Sequence, residues 1–326
     1  MVRVSVVIPT YNRARVLPVV LEHVLQQTFQ DFDICILDDG SQDRTQEALA
    51  GLLNTRVRYI WQDNRGVAAA RNAGIRASGG ELIALLDSDD LWARDKLARQ
   101  VSFLDRHPDV NVVCCDVVKF GEESSGPFAH TMPVFSKLLQ RYRQGDACVI
   151  PRHEMYTCLL EEIPIRPSTF IARRATLTTH AFNPSMRWAE DWELFLRLAR
   201  QEAFGFIDAP LVQLRVWQEG KHVAERSREY RASIQMLQRE GASQALIPQQ
   251  KAALRRGLGH RYYLLGHYLL RQGARPSAVM AFLHGCLASH QLRMLGGMSA
   301  SLMPKSMYQA LQTARRRGLW LQLRNN

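Results

Sequence analysis

No uninterrupted apolar run in the 326 residues approaches the roughly 18 to 20 needed to cross a bilayer, which excludes an integral membrane segment from the expected organisation. The six cysteines, at positions 35, 114, 115, 148, 158 and 286, show no paired metal-ligand spacing, so a zinc ribbon is not expected and buried, reduced thiols are. No Gly-x-Gly-x-x-Gly follows a strand-like run and no Gly-x-x-x-x-Gly-Lys-Ser/Thr occurs, which disfavours dinucleotide and P-loop sites. The opening Met1-Val2-Arg3-Val4-Ser5 lacks the cationic start, apolar stretch and cleavage site of a secretory signal, so the cytoplasm is the expected compartment. Acids are scarce in one region: residues 221 to 326 hold three Asp/Glu against 17 Lys/Arg, whereas residues 1 to 220 hold 28 against 25. The tail therefore carries the net charge of +11, which points to an anionic partner, a membrane surface ahead of an acidic polymer, with no nucleic acid expected.

What is present is a regular alternation of strand-like and helix-like segments. Val4 to Ile8 is β-branched, and Leu17, Val20, Leu21, Val24 and Leu25 then recur at helical spacing, with Pro18 tolerated near the helix start. Ile34 to Leu37 is followed by a helix over Arg44 to Leu53, Val57 to Trp61 by a helix over Val67 to Ala77 that stops at Gly79-Gly80, and Leu82 to Leu86 is a fourth strand. Apolar strands joined by helical crossovers predict an α/β fold with a mostly parallel central sheet flanked by helices, and ligands gathered at the carboxyl ends of the strands.

The fourth strand delivers Asp87-Ser88-Asp89-Asp90 to that rim. Three acids in four residues repel one another unless a cation joins them, and Mg²⁺ or Mn²⁺ prefers such oxygen ligands; a polar turn after a strand is the plainer role. Pro9-Thr10-Tyr11-Asn12-Arg13 follows the first strand and Asp38-Asp39-Gly40-Ser41 the second, while Arg71 lies on the helix after Gly66. An aromatic to stack on a base, acids for a ribose or a metal, and a guanidinium for a phosphate together describe a nucleotide site. Taken singly, Tyr11 could pack, Asp39-Gly40 could form a turn and Arg71 could pair on a surface.

These residues closely resemble the family 2 glycosyltransferases of GT-A fold. Four blocks carry the resemblance in order and spacing: Val6 to Asn12, Ile36 to Ser41, Asn64 to Gly74, and Leu86 to Asp90. It implies that Asp89 is the direct metal ligand and Asp87 faces the nucleoside, with Thr10, Tyr11, Asp39 and Arg71 holding base and ribose. The expected donor-binding set is thus Pro9, Thr10, Tyr11, Asn12, Arg13, Asp39, Arg71, Asp87 and Ser88. Further on, Trp188-Ala189-Glu190-Asp191-Trp192 looks like the family's acidic pair at the start of an acceptor-side helix, making Asp191 the general base that takes the acceptor hydroxyl proton. Without that comparison, the pair would simply favour a helix N-terminus. Glu190, Trp188, Trp217 and His222 are further candidates for acceptor or diphosphate contacts. Trp217 stands where relatives often carry a histidine, and His180-Ala181-Phe182-Asn183-Pro184 stands where they commonly show Gly-x-Phe-Asp-Glu.

The implied organisation is a GT-A catalytic domain over residues 1–222, with a nucleotide-sugar half (1–110) and an acceptor-side half (111–222), then a basic α-helical region over 223–326. Acceptor selection is expected in the stretch Gly121 to Ile150. In the basic region, Tyr262-x-x-Leu265-Gly266 followed by Ala278-x-x-x-Phe282 matches the offsets of a tetratricopeptide helical hairpin, with turns expected near Gly257, Gly273 and Gly296-Gly297. Leu302 to Leu323, with Arg315-Arg316-Arg317, Trp320 and then Arg324, fits a helix lying on an anionic bilayer or an ordinary charged surface helix. The function implied is metal-dependent, inverting transfer of a sugar from a nucleotide-diphosphate sugar, by resemblance a UDP-sugar, to a hydroxyl of a glycan or lipid-linked acceptor in cell-surface polysaccharide or glycoconjugate synthesis. Mn²⁺ or Mg²⁺ is the implied cofactor, and a cytoplasmic enzyme peripheral to the membrane the implied location. Two other classes stay open: a scaffold with a vestigial site and a partner-binding helical tail, and a sugar nucleotidyltransferase, although that class needs a glycine-rich loop where Pro9-Thr10-Tyr11-Asn12 stands.

Overall fold

Val4–Thr10 forms the first strand, β1, and all seven residues are buried, as a β-branched run covered on both faces should be. The computed structural model describes residues 2–121, 126–216, 223–289, 297–299 and 301. After β1 come α1 (Leu17–Leu25), β2 (Phe32–Asp38), α2 (Thr45–Leu49), β3 (Val57–Trp61), α3 (Val67–Ala77) and β4 (Leu82–Leu85). The expected helix over Arg44 to Leu53 contracts to the five residues of α2, since the chain turns away at Gly51. The apolar stripe of α1, Leu17, Val20, Leu21 and Val24, packs in one core with Val4, Val6 and Ile8 of β1, each side chain contributing about 1.5–3 kcal/mol on burial. Helix α3 lies unusually close to β1 because Gly74 has no side chain; a Cβ there would sit 2.5 Å from Val7 Cγ1.

The chain continues through β5 (Leu91–Trp92), α4 (Lys96–Arg106), β6 (Val112–Gly121), α5 (Pro133–Tyr142), β7 (Arg143–Gln144), β8 (Ala147–Ile150), α6 (Arg152–Leu159), β9 (Ile171–Arg173), α7 (Arg174–Thr179), α8 (Glu190–Ala199) and β10 (Phe204–Val216). The ten strands form one sheet in the order β3-β2-β1-β4-β9-β6-β10-β8-β7, with β5 also paired to β10. The pairs β3·β2, β2·β1, β1·β4 and β6·β10 are parallel; β9 runs antiparallel to both β4 and β6, and β5 and β8 run antiparallel to β10. Most strands therefore point one way, and the loops after β1, β2 and β4 open on the same rim. All five cysteines of this region are buried and none is in a disulfide.

The chain divides into two compact units, residues 1–221 and 222–326. The described part of the second comprises α9 (Val223–Ser243), α10 (Pro248–Arg271) and α11 (Arg275–Ser289) around Ile234, Leu265, Leu269, Leu270, Ala278, Ala281 and Phe282. The α10–α11 hairpin has the offsets read from the sequence: a Cβ on Gly266 would stand 2.6 Å from the Phe282 ring, so helix and ring meet only because the residue is glycine. Gly273, at φ 78°, ends α10, with Gly273 N–H donating to Leu270 and Ala274 N–H to Leu269, the reverse-turn cap that favours glycine. The turn expected near Gly257 is absent: α10 runs straight through it and buries it. One glycine costs a helix only about 1 kcal/mol, and its neighbours Leu254, Arg255, Arg256 and Leu258 favour helix. Gly297 is likewise helical rather than a turn. Among the described residues no helix is long and apolar enough to cross a membrane. Gly296 and the stretch Leu302 to Leu323, with Arg315, Arg316, Arg317, Trp320 and Arg324, lie outside the described residues.

Candidate active site

Strand β1 ends with Pro9 and Thr10 buried and Tyr11 43% exposed. Asn12 follows with φ 54°, a left-handed conformation that asparagine tolerates because its amide bonds locally. Its Oδ1 accepts from Gln42 N–H (2.8 Å) and Asp43 N–H (3.3 Å), and its own N–H donates to Ser41 Oγ (2.8 Å). The loops after β1 and β2 are thereby fastened to each other. Thr10 Oγ1 is buried and has no hydrogen-bond partner among the described residues, an orphan at the edge of the rim that a ligand could satisfy.

Asp38 and Asp39 end β2 buried. Asp38 accepts from Ser41 N–H (2.7 Å) and from the Tyr59 hydroxyl; burial, then the Asp38 carboxylate, push the Tyr59 phenol well above its usual range, so it stays a donor. Asp39 Oδ1 accepts from Gln62 Nε2 (2.7 Å) and Arg65 N–H (2.9 Å), and Oδ2 from Gly66 N–H (2.8 Å). Asp39 thus closes the loop entering α3 and offers its remaining lone pairs to the rim.

The acidic loop after β4 separates into two roles. Asp90 is 1% exposed: its Oδ2 accepts from Ser168 Oγ–H (2.6 Å) and its Oδ1 from Arg215 N–H (3.1 Å). Burial first, then Asp87 and Asp89, push its carboxyl up. Ser168 Oγ also accepts from Asp87 N–H (3.0 Å), and Arg215 Nε donates to the Asp89 carbonyl (3.1 Å). Asp90 therefore braces the loop, while the side chains of Asp87 and Asp89 remain 31% and 19% exposed; Ser88, between them, is buried.

Arg71 joins this loop to the other half of the sheet. It is 4% exposed, its Nη2 donates to Asp87 Oδ1 (2.8 Å) and its Nη1 to Glu190 Oε1 (2.7 Å), and its plane lies over the Phe182 ring at 5.1 Å. Its Nε is buried without a partner among the described residues. Glu190 opens α8 directly after Ala189, which at φ 59° is left-handed and costs roughly 1–3 kcal/mol of strain. Burial, then Asp191, push the Glu190 carboxyl up, and the Arg71 ion pair opposes them. Asp191 Oδ1 accepts from Trp192 N–H (2.7 Å), and the residue is only half-buried.

The expected residues are thus partly gathered. Asp87, Arg71 and Glu190 form one chain of contacts with Asp191 next along α8, and Arg13 Nη2 lies 3.5 Å from Asp89 Oδ2. Tyr11, Asn12 and Asp39 belong to the neighbouring pair of loops, and Trp188 is half-buried just before α8. Trp217 and His222 lie outside the described residues. Arg71, expected to hold base or ribose, directs both Nη atoms at carboxylates. The chemistry of the region fits a divalent cation: Asp87 Oδ2 makes no hydrogen bond among the described residues, and the side chains of Asp87 and Asp89 both keep access to solvent. These are hard oxygen donors that face outward.

Several contributors were not legible as site residues. Ser168 and Arg215 act through bonds to residues 78 and 125 positions away. Asn72 makes a reciprocal pair with Phe182, Nδ2 to its carbonyl (2.8 Å) and Oδ1 from its N–H (2.9 Å), which holds the segment His180 to Pro184 against α3. Asp116, His130 and Asp208 also converge, away from the acidic loop.

A mostly parallel sheet flanked by helices, with polar loops on one rim and an acidic loop bridged to a second acidic pair, defines an α/β protein whose candidate ligand face lies at the carboxyl ends of its strands. The chain belongs to glycosyl transferase family 2, whose family model matches residues 5–177. A Rickettsia felis protein named an uncharacterized glycosyltransferase is 31% identical over 217 residues, covering 66% of this chain and 33% of that relative. An Escherichia coli chondroitin synthase is 29% identical over 212 residues, 63% of this chain and 28% of that relative. The chain spans about a third of the length of the first of these relatives. Among solved structures, Staphylococcus aureus TarS in complex with UDP-GlcNAc aligns with TM-score 0.64 at 19% identity, covering 97% of this chain and 92% of that one. The mannosyltransferase PcManGT of Pyrobaculum calidifontis, in complex with GDP-Man and Mn²⁺, aligns with TM-score 0.60 at 22% identity, covering 96% and 83%. The fold is that of GT-A glycosyltransferases, with a helical C-terminal region.

Proposed function

We propose that this chain is a metal-dependent, inverting glycosyltransferase that moves a sugar from a nucleotide-diphosphate sugar, a UDP-sugar in the first instance, to a hydroxyl of a glycan or lipid-linked acceptor. The supporting observation is Arg71, buried between Asp87 at 2.8 Å and Glu190 at 2.7 Å, which sets the acid at the head of α8 beside the donor loop. The named ligands of the structural neighbours, UDP-GlcNAc in one and GDP-Man with Mn²⁺ in the other, support a nucleotide-diphosphate sugar as the donor class.

In this reading Tyr11 stacks on the base, Thr10 Oγ1 and Asp39 take its polar edge or the ribose, and Asp87 faces the ribose while Arg71 fixes its rotamer. Pro9 and Ser88 shape the pocket floor, and Asn12 and Arg13 hold the loop edge. Mn²⁺ or Mg²⁺ on Asp89 would neutralise charge on the departing diphosphate. Asp191 accepts the acceptor hydroxyl proton as oxygen attacks the anomeric carbon from the face opposite the leaving group, which inverts that centre. Glu190, buried and ion-paired with Arg71 through Oε1, positions the head of α8 in this reading, and the more exposed Asp191 is the base. Trp188 flanks the acceptor path. The excess cations of residues 221 to 326 suit an anionic bilayer, where a lipid-linked acceptor would be found.

Asp191→Asn tests the assignment. Donor turnover in the presence of Mn²⁺ should fall by roughly 10²- to 10⁴-fold while the donor still raises the melting temperature. Wild-type turnover in that variant would remove Asp191 from the mechanism.

A further inference from the structure

Strand β10 carries a proline at Pro210, and there its register against β6 shifts twice, between Ile207 and Pro210 and between Pro210 and Val212. Bulges of this kind re-aim side chains, and here Asp208 reaches the face of Asp116, a β6 residue paired with Pro210. The third element is the short 3₁₀ turn Ala129–Thr131, whose Ala129 N–H donates to Asp116 Oδ1 at 2.8 Å and whose His130 Nε2 lies 2.6 Å from Asp208 Oδ1. One ligand atom from each of Asp116, His130 and Asp208 lies within 4.8 Å of the other two.

The decisive atom is Asp116 Oδ2. The residue is 0% exposed, yet this oxygen has no hydrogen-bond partner among the described residues. An unpaired carboxylate oxygen in the interior costs several kcal/mol unless a cation or proton meets it. A second carboxylate nearby, on Asp208, sharpens the need. The cation that now faces Asp208 from the protein is Arg143, at 3.8 Å with its side chain 61% exposed, a pair that solvent largely screens. His130, 45% exposed, leaves an entrance from solvent.

We infer that Asp116, His130 and Asp208 form a binding site for a borderline divalent cation of the Zn²⁺ class, which pins the turn Ala129–Thr131 to β6 and β10. One imidazole and two carboxylates suit Zn²⁺ better than Mg²⁺ or Ca²⁺, which take oxygen-only shells. Bonds of about 2.0–2.2 Å require the His130–Asp208 hydrogen bond to open into two metal bonds, and the exposed side of His130 admits a water as fourth ligand. The site is separate from Asp89: Asp116 stands four residues before Phe120 on β6, on the order of 13 Å at about 3.3 Å per residue, and Phe120 pairs with Arg215, the residue that touches the Asp89 carbonyl. Its role is structural, in the half of the sheet where acceptor selection is expected.

The test uses the full chain stripped with chelator and dialysed against Zn²⁺ alone, with bound metal counted by atomic emission. Asp89→Ala serves as the background, so that the proposed donor-side cation does not contribute. One tightly bound equivalent is expected there, with a rise in melting temperature. Adding His130→Ala, a half-exposed position whose loss leaves the core intact, should weaken binding by at least about tenfold and abolish the thermal shift. Asp116→Asn should do the same. No bound equivalent in Asp89→Ala, or an equivalent that survives both added substitutions, overturns the site; because the Asp89→Ala background already lacks the donor acid, neither result bears on glycosyl transfer.

Discussion

The two halves of the sheet hold their polar residues in different ways. In the donor-side half, carboxylates and amides at the strand ends are closed largely by backbone N–H groups of the same or the adjoining loops: Asp38 by Ser41, Asp39 by Arg65 and Gly66, Asn12 by Gln42. In the acceptor-side half the groups that matter reach across the sheet mostly through side chains, as in Glu190 to Arg71, Ser168 to Asp90 and the Arg215 guanidinium to the Asp89 carbonyl, with the Arg215 backbone N–H to Asp90 as the exception. A backbone donor survives substitution of its own side chain, whereas a side-chain bridge disappears with one substitution. The donor rim is built to be rigid on its own, and the acceptor side is assembled onto it.

Substitutions can break or sharpen that contrast. The largest stability effect should come from Arg71→Met, which preserves bulk but leaves Asp87 and the buried Glu190 without their shared cation. A loss of roughly 3–5 kcal/mol is expected in chemical denaturation, and a loss under 1 kcal/mol would mean that the bridge is not structural. Ser168→Ala removes the donor to Asp90 and the acceptor for Asp87 N–H together, with about 1–3 kcal/mol expected. Donor affinity should fall as well, because the acidic loop loses its brace; unchanged affinity by titration would confine Ser168 to packing. The smallest effect should be Tyr59→Phe in the donor half, about 0.5–1.5 kcal/mol, since Asp38 retains Ser41 N–H. If Tyr59→Phe costs more than Ser168→Ala, the contrast between the halves fails.

Much of the donor half was legible in the residues. Val4 to Ile8, Val57 to Trp61, Val67 to Ala77 and Leu82 to Leu86 fall almost where the structure has β1, β3, α3 and β4, because short parallel strands and their crossovers carry their signal locally. Asp87 and Asp89 were visible as a cluster for the same reason. Gly257 misled because glycine reads as a turn, whereas α10 keeps Gly257 and Gly259 within the helix and buries both. Asp90 could be separated from Asp87 and Asp89 only weakly: its role depends on Ser168 and Arg215, which arrive from the far side of the sheet. The meeting of Asp116, His130 and Asp208 had no local signal beyond Pro210 inside an otherwise strand-like run.

By itself the sequence determined the alternation of strands and helices, the acids at the carboxyl ends of β2 and β4, and the concentration of positive charge after residue 220. All of these follow from short-range periodicity and composition. Only the tertiary structure decided that Arg71 is turned onto Asp87 and Glu190, that Ser168 and Arg215 are the groups that hold Asp90, and that a bulge in β10 brings Asp208 to Asp116. Those outcomes depend on pairs separated by tens to more than a hundred positions, and such pairs acquire an energy only once the sheet has closed and water has been excluded between them.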